Sequence, residues 1–321
     1  MELLLILPLV VGLGLYEYFT SDSSDSNDDQ NQDDNGTDNT PAATVFSGDD
    51  NAEDIAGGAK DDVVAGGGNN DTLSGDDADD LLLGEGGNDS MIATQGYDTL
   101  LSGGGDDTIY GGRGQDLLIG GGGDDFLLGG EGDDTISGSS GADTLEGFRG
   151  NDLISGLDIR NGADALESNL QTNASDAAET AQDLEDYVAA NFDISATPDI
   201  LARLDDGLTS ANLADRGDDV LYGGRGDDTL LGDFSDTLSG GRGKDEFDIL
   251  SDGAGEAVTV TDLDPSLDTL KITVPTGTNP AVSFVDGPNG VSVVIAGDVV
   301  AVLQQLTAAD IPKGFVKVTV A

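Results

Sequence analysis

The sequence predicts a mainly β fold in which short parallel strands wind into a repeating coil, with a helical insertion and a C-terminal β cap. Three observations carry this reading. An aspartate stands at every ninth residue from Asp62 to Asp152, with an apolar residue two places after each one. The period stops over 157–213, where apolar residues recur at helical spacing, and resumes over 214–250. After residue 250 the glycine period disappears, and short β-branched runs separated by turn residues take over.

The periodic aspartates are Asp62, Asp71, Asp80, Asp89, Asp98, Asp107, Asp116, Asp125, Asp134, Asp143 and Asp152. Their apolar followers run from Val64, Leu73, Leu82, Met91 and Leu100 to Ile109, Leu118, Leu127, Ile136, Leu145 and Ile154. A register held through so many units is an internal repeat, whereas a disordered Gly- and Asp-rich segment needs no fixed register. The clearest units read GGRGQDLLI (111–119), GGGGDDFLL (120–128) and GGEGDDTIS (129–137). Glycine enters positive φ readily, so G-G-x-G makes a tight turn whose bare backbone lets carbonyls converge on an ion. The three residues around each apolar side chain form a short strand, which points that side chain one way and its neighbours the other. Two turn-plus-strand units close one coil of eighteen residues, and the apolar residues of successive coils stack into a narrow interior.

These units resemble the nonapeptide G-G-x-G-x-D-x-U-x, with U a large apolar residue, of RTX (hemolysin-type) calcium-binding proteins. The resemblance covers 57–155 without interruption and returns at GGRGDDTLL (223–231) and GGRGKDEFD (240–248). It implies a right-handed parallel β-roll that binds several Ca2+ ions. Calcium takes six to eight hard oxygen ligands, mixing carboxylates with carbonyls. Units eighteen residues apart lie one coil apart, about 4.8 Å between parallel strands. The carboxylates therefore sort into two rows, one holding Asp62, Asp80, Asp98, Asp116, Asp134 and Asp152, the other Asp71, Asp89, Asp107, Asp125 and Asp143. By resemblance these residues are ligands, joined by Asp219, Asp228 and Asp245 in the second block. Turn carbonyls near Gly103, Gly105, Gly112, Gly114, Gly121, Gly123, Gly130, Gly132, Gly224, Gly226, Gly241 and Gly243 complete the expected set.

The sites are not expected to be equal. Turns between 102 and 152 keep glycine at the fourth position (Gly105, Gly114, Gly123, Gly132, Gly141, Gly150), whereas earlier ones place Lys60, Asn69 and Ala78 there. Asn tolerates left-handed φ, and Lys and Ala do so poorly. The turn around Asp77 has also lost its second-position glycine to an acid, Asp76. Strong sites are expected around 107–143 and weak or empty ones before about 89. Glu53, followed by Ile55, continues the phase backwards as a degenerate cap. The unit at 232–239 is one residue short, since Asp236 follows Asp228 by eight. Its turn must absorb the deletion, because a shifted strand would expose its apolar face, and no normal site is expected there.

Composition narrows the function. The formal net charge is −52, from 64 acidic and 12 basic residues, and self-repulsion on this scale opposes compaction until cations relieve it. Calcium binding is therefore expected to drive folding. The first basic residue is Lys60, and phosphate backbones need Lys and Arg patches, so nucleic acid is excluded as a partner. There is no Cys and no His, which removes disulfides, thiolate chemistry, His-dependent triads and zinc-protease helices. Acid pairs such as Asp124–Asp125 are explained by the turns, and no enzyme is expected.

The flanking segments complete the organisation. Residues 3–15 (LLLILPLVVGLGL) are continuously apolar and are followed by Tyr16, Tyr18 and Phe19. The run is short for a spanning helix and lacks the basic start and small-residue cleavage site of a signal peptide. A membrane anchor, an atypical export signal and a hydrophobic tail all remain open. Over 20–44 the chain is an acidic, self-repelling linker expected to be disordered. In 157–213, Leu166, Leu170, Ala174, Ala177, Ala181, Leu184 and Val188 predict an amphipathic helix folded against the roll, and Thr197-Pro198-Asp199 opens a second. Strands are expected at Val258–Thr261, Leu270–Val274, Val282–Val285, Val291–Ile295, Val299–Leu303 and Phe315–Val320. Asp262, Asp264 and Asp268 lie in a segment similar to one that closes many RTX rolls. The domains are thus 1–19, 20–44, a first roll block 45–156, the insertion 157–213, a second block 214–250 and a capping β domain 251–321.

The expected function is that of an extracytoplasmic calcium-binding protein with a structural or surface role, since extracellular modules work at millimolar calcium. The resemblance implies type I secretion, and the apolar C-terminus FVKVTVA fits that route. A membrane-tethered adhesin or matrix protein, held through residues 3–19, is the alternative. A toxin would need long pore helices, and an ice-binding face would need an unbroken Thr rank. Thr72, Ser90, Thr108, Phe126 and Thr144 form a row that Phe126 breaks.

Overall fold

The computed structural model describes residues 44–49, 51–156, 217–233, 235–251, 257–275, 277–278 and 280–320. The apolar N-terminal run, the acidic linker before residue 44 and the expected helices of 157–213 lie outside the described residues. Among the described residues every regular element is a strand, and no helix there is long and apolar enough to cross a membrane.

The first block contributes β1 (Thr44–Ser47), β2 (Asp54–Gly58), β3 (Asp62–Gly68), β4 (Thr72–Asp77), β5 (Leu81–Gly86), β6 (Ser90–Gln95) and β7 (Thr99–Gly104). It continues with β8 (Thr108–Arg113), β9 (Leu117–Gly122), β10 (Phe126–Glu131), β11 (Thr135–Ser140), β12 (Thr144–Arg149) and β13 (Leu153–Ser155). After the insertion come β14 (Val220–Arg225), β15 (Thr229–Gly232), β16 (Thr237–Arg242) and β17 (Glu246–Leu250). The C-terminal part holds β18 (Val258–Val260), β19 (Thr269–Val274), β20 (Val282–Gly287), β21 (Gly290–Ile295), β22 (Asp298–Leu303) and β23 (Val316–Val320).

Successive strands alternate between two sheets. The first has eleven strands, in the order β1-β3-β5-β7-β9-β11-β13-β15-β17-β19-β23. The second has twelve, β2-β4-β6-β8-β10-β12-β14-β16-β18-β22-β21-β20. Each strand in the roll pairs in parallel with the strand two further on, so Leu100 meets Leu118 and Leu127 meets Leu145. This is the coil of two nonapeptides. The strands are longer than the three residues expected from the glycine content. β10, for example, carries FLLGGE, and Gly103 pairs with Gly121 and Gly112 with Gly130. Glycine weakens a lone strand, but each of these meets a glycine of the next coil at the same height, so the parallel ladder extends into the turn.

The interior is the predicted stack. Val64, Leu73, Leu82, Met91, Leu100, Ile109, Leu118, Leu127, Ile136, Leu145 and Ile154 all belong to one buried cluster, joined by Leu221, Leu230, Leu238 and Phe247. Each such side chain contributes about 1.5–3 kcal/mol by burial. The insertion does not break the coil. β12 pairs with β14 (Leu145 with Leu221) and β13 with β15 (Ile154 with Leu230). The short unit is absorbed as expected: Leu221 meets Leu238 at a separation of seventeen residues, and the deletion falls in the turn after a four-residue β15. There Ser235 takes a left-handed φ of 65°.

All six C-terminal strands lie where the turn signals place them. They extend both sheets: β19 and β23 add in parallel to the first, β18 and β22 to the second. β21 and β20 then reverse direction in an antiparallel meander at the end of the second sheet. Val258, Leu270, Ile272, Val291, Val293 and Leu303 share the cluster that fills the roll.

Candidate metal centre

Every repeat aspartate points into the molecule. Asp62, Asp71, Asp80, Asp89, Asp98, Asp107, Asp116, Asp125, Asp134, Asp143, Asp152, Asp219, Asp228 and Asp245 are all buried. Two rows form, as the spacing requires, and each is a hydrogen-bonded ladder. The backbone N–H of Asp62 donates to Oδ1 of Asp80 (2.8 Å), Asp80 to Asp98 (2.8 Å), Asp98 to Asp116 (3.0 Å), Asp116 to Asp134 (3.0 Å) and Asp134 to Asp152 (2.9 Å). In the other row Asp71 donates to Asp89, Asp89 to Asp107, Asp107 to Asp125 and Asp125 to Asp143. Both ladders bridge the insertion: Asp143 donates to Asp219 (2.7 Å) and Asp152 to Asp228 (2.9 Å). Asp228 then donates to Asp245 and Asp219 to Asp236.

Oδ1 is satisfied by this arrangement and Oδ2 is left over. In Asp71, Asp80, Asp89, Asp98, Asp107, Asp116, Asp125, Asp134, Asp152 and Asp228 the Oδ2 atom is buried without a hydrogen-bond donor. An ionised carboxylate in that position costs several kcal/mol. Desolvation, only partly offset by the N–H donated to Oδ1, pushes Asp80, Asp125 and Asp152 up to about 8. The same cause pushes Asp98, Asp116, Asp134 and Asp228 up to about 7, and Asp89, Asp107 and Asp245 up to about 6. Neighbouring carboxylates of the same row add to the rise.

Where the first position of a unit is glycine it forms a cradle beside that oxygen; in two units Ala93 and Ser102 stand there instead. A Cβ on Gly111 would lie 2.6 Å from Asp116 Oδ2 and 2.8 Å from the carbonyl oxygen of Gly129. On Gly84 it would meet Asp89 Oδ2 at 2.5 Å and the Ser102 carbonyl at 2.6 Å. A carboxylate oxygen and a carbonyl of the next coil thus bracket one point, which only glycine leaves open. These first-position carbonyls were not singled out by sequence. The second- and fourth-position glycines named there all carry positive φ, from 92° at Gly241 to 155° at Gly243. They stack so closely that a Cβ on Gly132 would run into the Gly114 carbonyl, and one on Gly123 into that of Gly105. The donor set is all oxygen, anionic and repeated, which fits a hard divalent cation such as calcium. Among the described residues no three acidic side chains gather into one metal-sized group, so a cation held here would take its remaining ligands from carbonyls or water.

The rows have defined ends. Asp236 Oδ2 accepts from the Asp233 N–H (2.7 Å), and Asp268 Oδ2 from the Asp264 N–H (2.7 Å). Asp268 also accepts from Asp245 N–H, which makes it a further member of its row; its spacing two before Leu270 was the signal. Asp262 ties down the last turn of the other sheet, accepting from Ser239 Oγ and from the N–H groups of Gly240 and Gly241. At the N-terminal end the Glu53 N–H donates to Asp71 Oδ1, while Glu53 Oε2 accepts from Asp49 N–H.

A second ladder runs along the exposed side of the turns and was not legible as such. Asp124 N–H donates to Asp106 Oδ1, Asn151 to Asp133, Asp227 to Asn151 and Lys244 to Asp227. The first member of each acid pair therefore holds the turn while the second faces inward. The early turns carry more strain, with φ of 77° at Asp76 and 87° at Ala78, costs of order 1–3 kcal/mol each. Ser139 and Phe148 bring similar angles to later turns.

The family model of the RTX calcium-binding nonapeptide repeat, four copies long, matches residues 47–82, 66–100, 83–118, 92–127, 101–136, 128–158, 213–234 and 232–249. No curated protein matches the chain.

Proposed function

Because residues 47–158 and 213–249 are RTX calcium-binding nonapeptide repeats, we propose that this is an extracytoplasmic structural protein whose roll is assembled by calcium. The observation that carries the reading is the file of buried, donor-free Oδ2 atoms between successive coils. A roll with these oxygens ionised and unpaired is unfavourable, and a cation between neighbouring turns removes that cost while drawing adjacent coils together. The ligands are the aspartates of the two rows inside their self-satisfied ends, with turn carbonyls around them. The sites at 107–143 bind most tightly and those before 89 most weakly, because left-handed φ falls on the non-glycine residues Asn69, Asp76, Ala78 and Glu85 in the early turns and on Ser139 alone between 107 and 143.

Calcium at cytosolic levels is too scarce for weak sites of this kind, whereas millimolar extracellular calcium fills them. The chain would thus stay extended during export and stiffen on arrival. Nothing in the rows requires chemistry on a substrate, and the role is mechanical. A tether through the apolar run 3–15 would make the same roll a surface-held adhesin or matrix protein.

Titration of the full chain with calcium, followed by calorimetry and circular dichroism, tests the proposal. The expected result is several ions bound with a gain of β signal that chelator reverses. An unchanged β spectrum in chelator would sink it.

A further inference from the structure

In a two-sheet coil, the residues on either side of each core-facing side chain point away from the interior. On the second sheet that outer face is open, with Thr72, Thr108, Tyr110 and Tyr222 exposed. On the first sheet it is not. The residue after each core-facing one is buried in every coil from β3 to β17, from Ala65 through Leu83, Leu101 and Ile119 to Leu231 and Asp248. Val63 and Leu81, on the preceding position, are buried as well. None of the apolar residues among these belongs to the cluster between the sheets, so the first sheet has a second apolar layer on its outside.

We propose that the amphipathic segment 166–188 of the insertion is the cover of this face, lying as a helix across the strands of the first sheet. Lengths agree: eight strands from β3 to β17 span about 34 Å at the parallel spacing, and twenty-three helical residues span about 34 Å. Shapes agree too. The apolar stripe has Leu166 and Leu170 at one end, Leu184 and Val188 at the other, and Ala174, Ala177 and Ala181 at its centre. The alanines let the helix approach the middle strands closely, where the outward residues are Ile119 and Ser137, whichever way the helix runs. The chain leaves the first sheet at the end of β13 and returns at β14, which tethers the segment beside this face. The other apolar run, 3–15, would span only about 20 Å as a helix and offers no polar side to water.

The protein has no native cysteine, so introduced thiols report cleanly in the calcium-loaded full chain. Ser137 sits near the middle of the covered face and Ala177 at the centre of the stripe. Ser137→Cys should react with maleimide at least about tenfold more slowly than Thr108→Cys on the open sheet. Ser137→Cys combined with Ala177→Cys should be joined within one chain by a short bis-maleimide, and Ser137→Cys combined with Glu179→Cys, on the opposite side of the helix, should not. Replacing 160–213 by a Gly-Ser linker should expose the 137 thiol. Equal cross-linking from 177 and 179, or none from 177, overturns the proposal. So does protection of the 137 thiol that survives loss of the insertion but vanishes when 1–40 is removed, which would make the N-terminal run the occupant.

Discussion

At the scale of single residues, a buried carboxylate oxygen without a donor is a cost that only a cation or a proton can remove. Asp125→Asn keeps the shape and the Oδ1 acceptor while deleting the charge. It should raise the calcium concentration at half-folding by about tenfold, roughly 1.4 kcal/mol, while making the chelated protein fold more readily. Circular dichroism against free calcium reads both signs. The pH response follows from the same atoms. Asp80, Asp125 and Asp152 are raised to about 8 in the folded, metal-free chain against 3.8 in an ordinary aspartate. The folded state therefore holds protons that the unfolded chain has released. Its stability without calcium is full below about pH 4 and is lost as pH rises through 8. In chelator the β signal should grow as pH falls from 8 to 5; growth in the opposite direction would contradict the assignment. Calcium needs the ionised form, so binding at pH 7 should release protons, measurable by calorimetry in two buffers of different ionisation enthalpy. The glycines make a matching pair. Gly132→Ala meets the Gly114 carbonyl and should cost about 3 kcal/mol or more, while Ala78→Gly should relieve its φ of 87° and gain about 1 kcal/mol. Melting in saturating calcium separates them.

At the scale of strands and turns, the period of nine specified most of what is seen. It placed the aspartates in two rows, the apolar residues in one stack and the deletion at 232–239 in a turn. The β-branched runs after 250 placed six further strands. Glycine content misled on strand length, because propensity describes an isolated segment, whereas Gly103 and Gly121 are held by a ladder of identical neighbours. Sequence could say that carboxylates face one another but not that Oδ1 would be consumed by the preceding coil's N–H, since that depends on coil spacing. Nor could alternation reveal that the outward residues of one sheet are covered. Each coil leans on the next through its core residue, so Leu127→Ala, in the middle of the first block, should cost about 2–5 kcal/mol. Urea unfolding in calcium checks the magnitude.

For the molecule as a whole, charge and topology meet. A chain at −52 resists compaction at low salt unless cations are bound among its acids. Small-angle scattering should show the radius of gyration falling by about a third or more when calcium is added to the chelated protein, as a solvated coil gives way to the folded roll. Equal radii in both conditions would mean that the roll stands without its ions.

Within the first block the hydrogen-bond ladders tie each repeat aspartate to one eighteen positions away, and the two sheets are not equivalent outside, one face being covered and the other open. Loss or gain of a single nonapeptide would send every later strand to the opposite sheet, turning covered faces outward and open ones in. Replication slippage in the gene would thus have a natural stride of two repeats: a change by whole coils would keep every strand on its own sheet, and a change by half a coil would not.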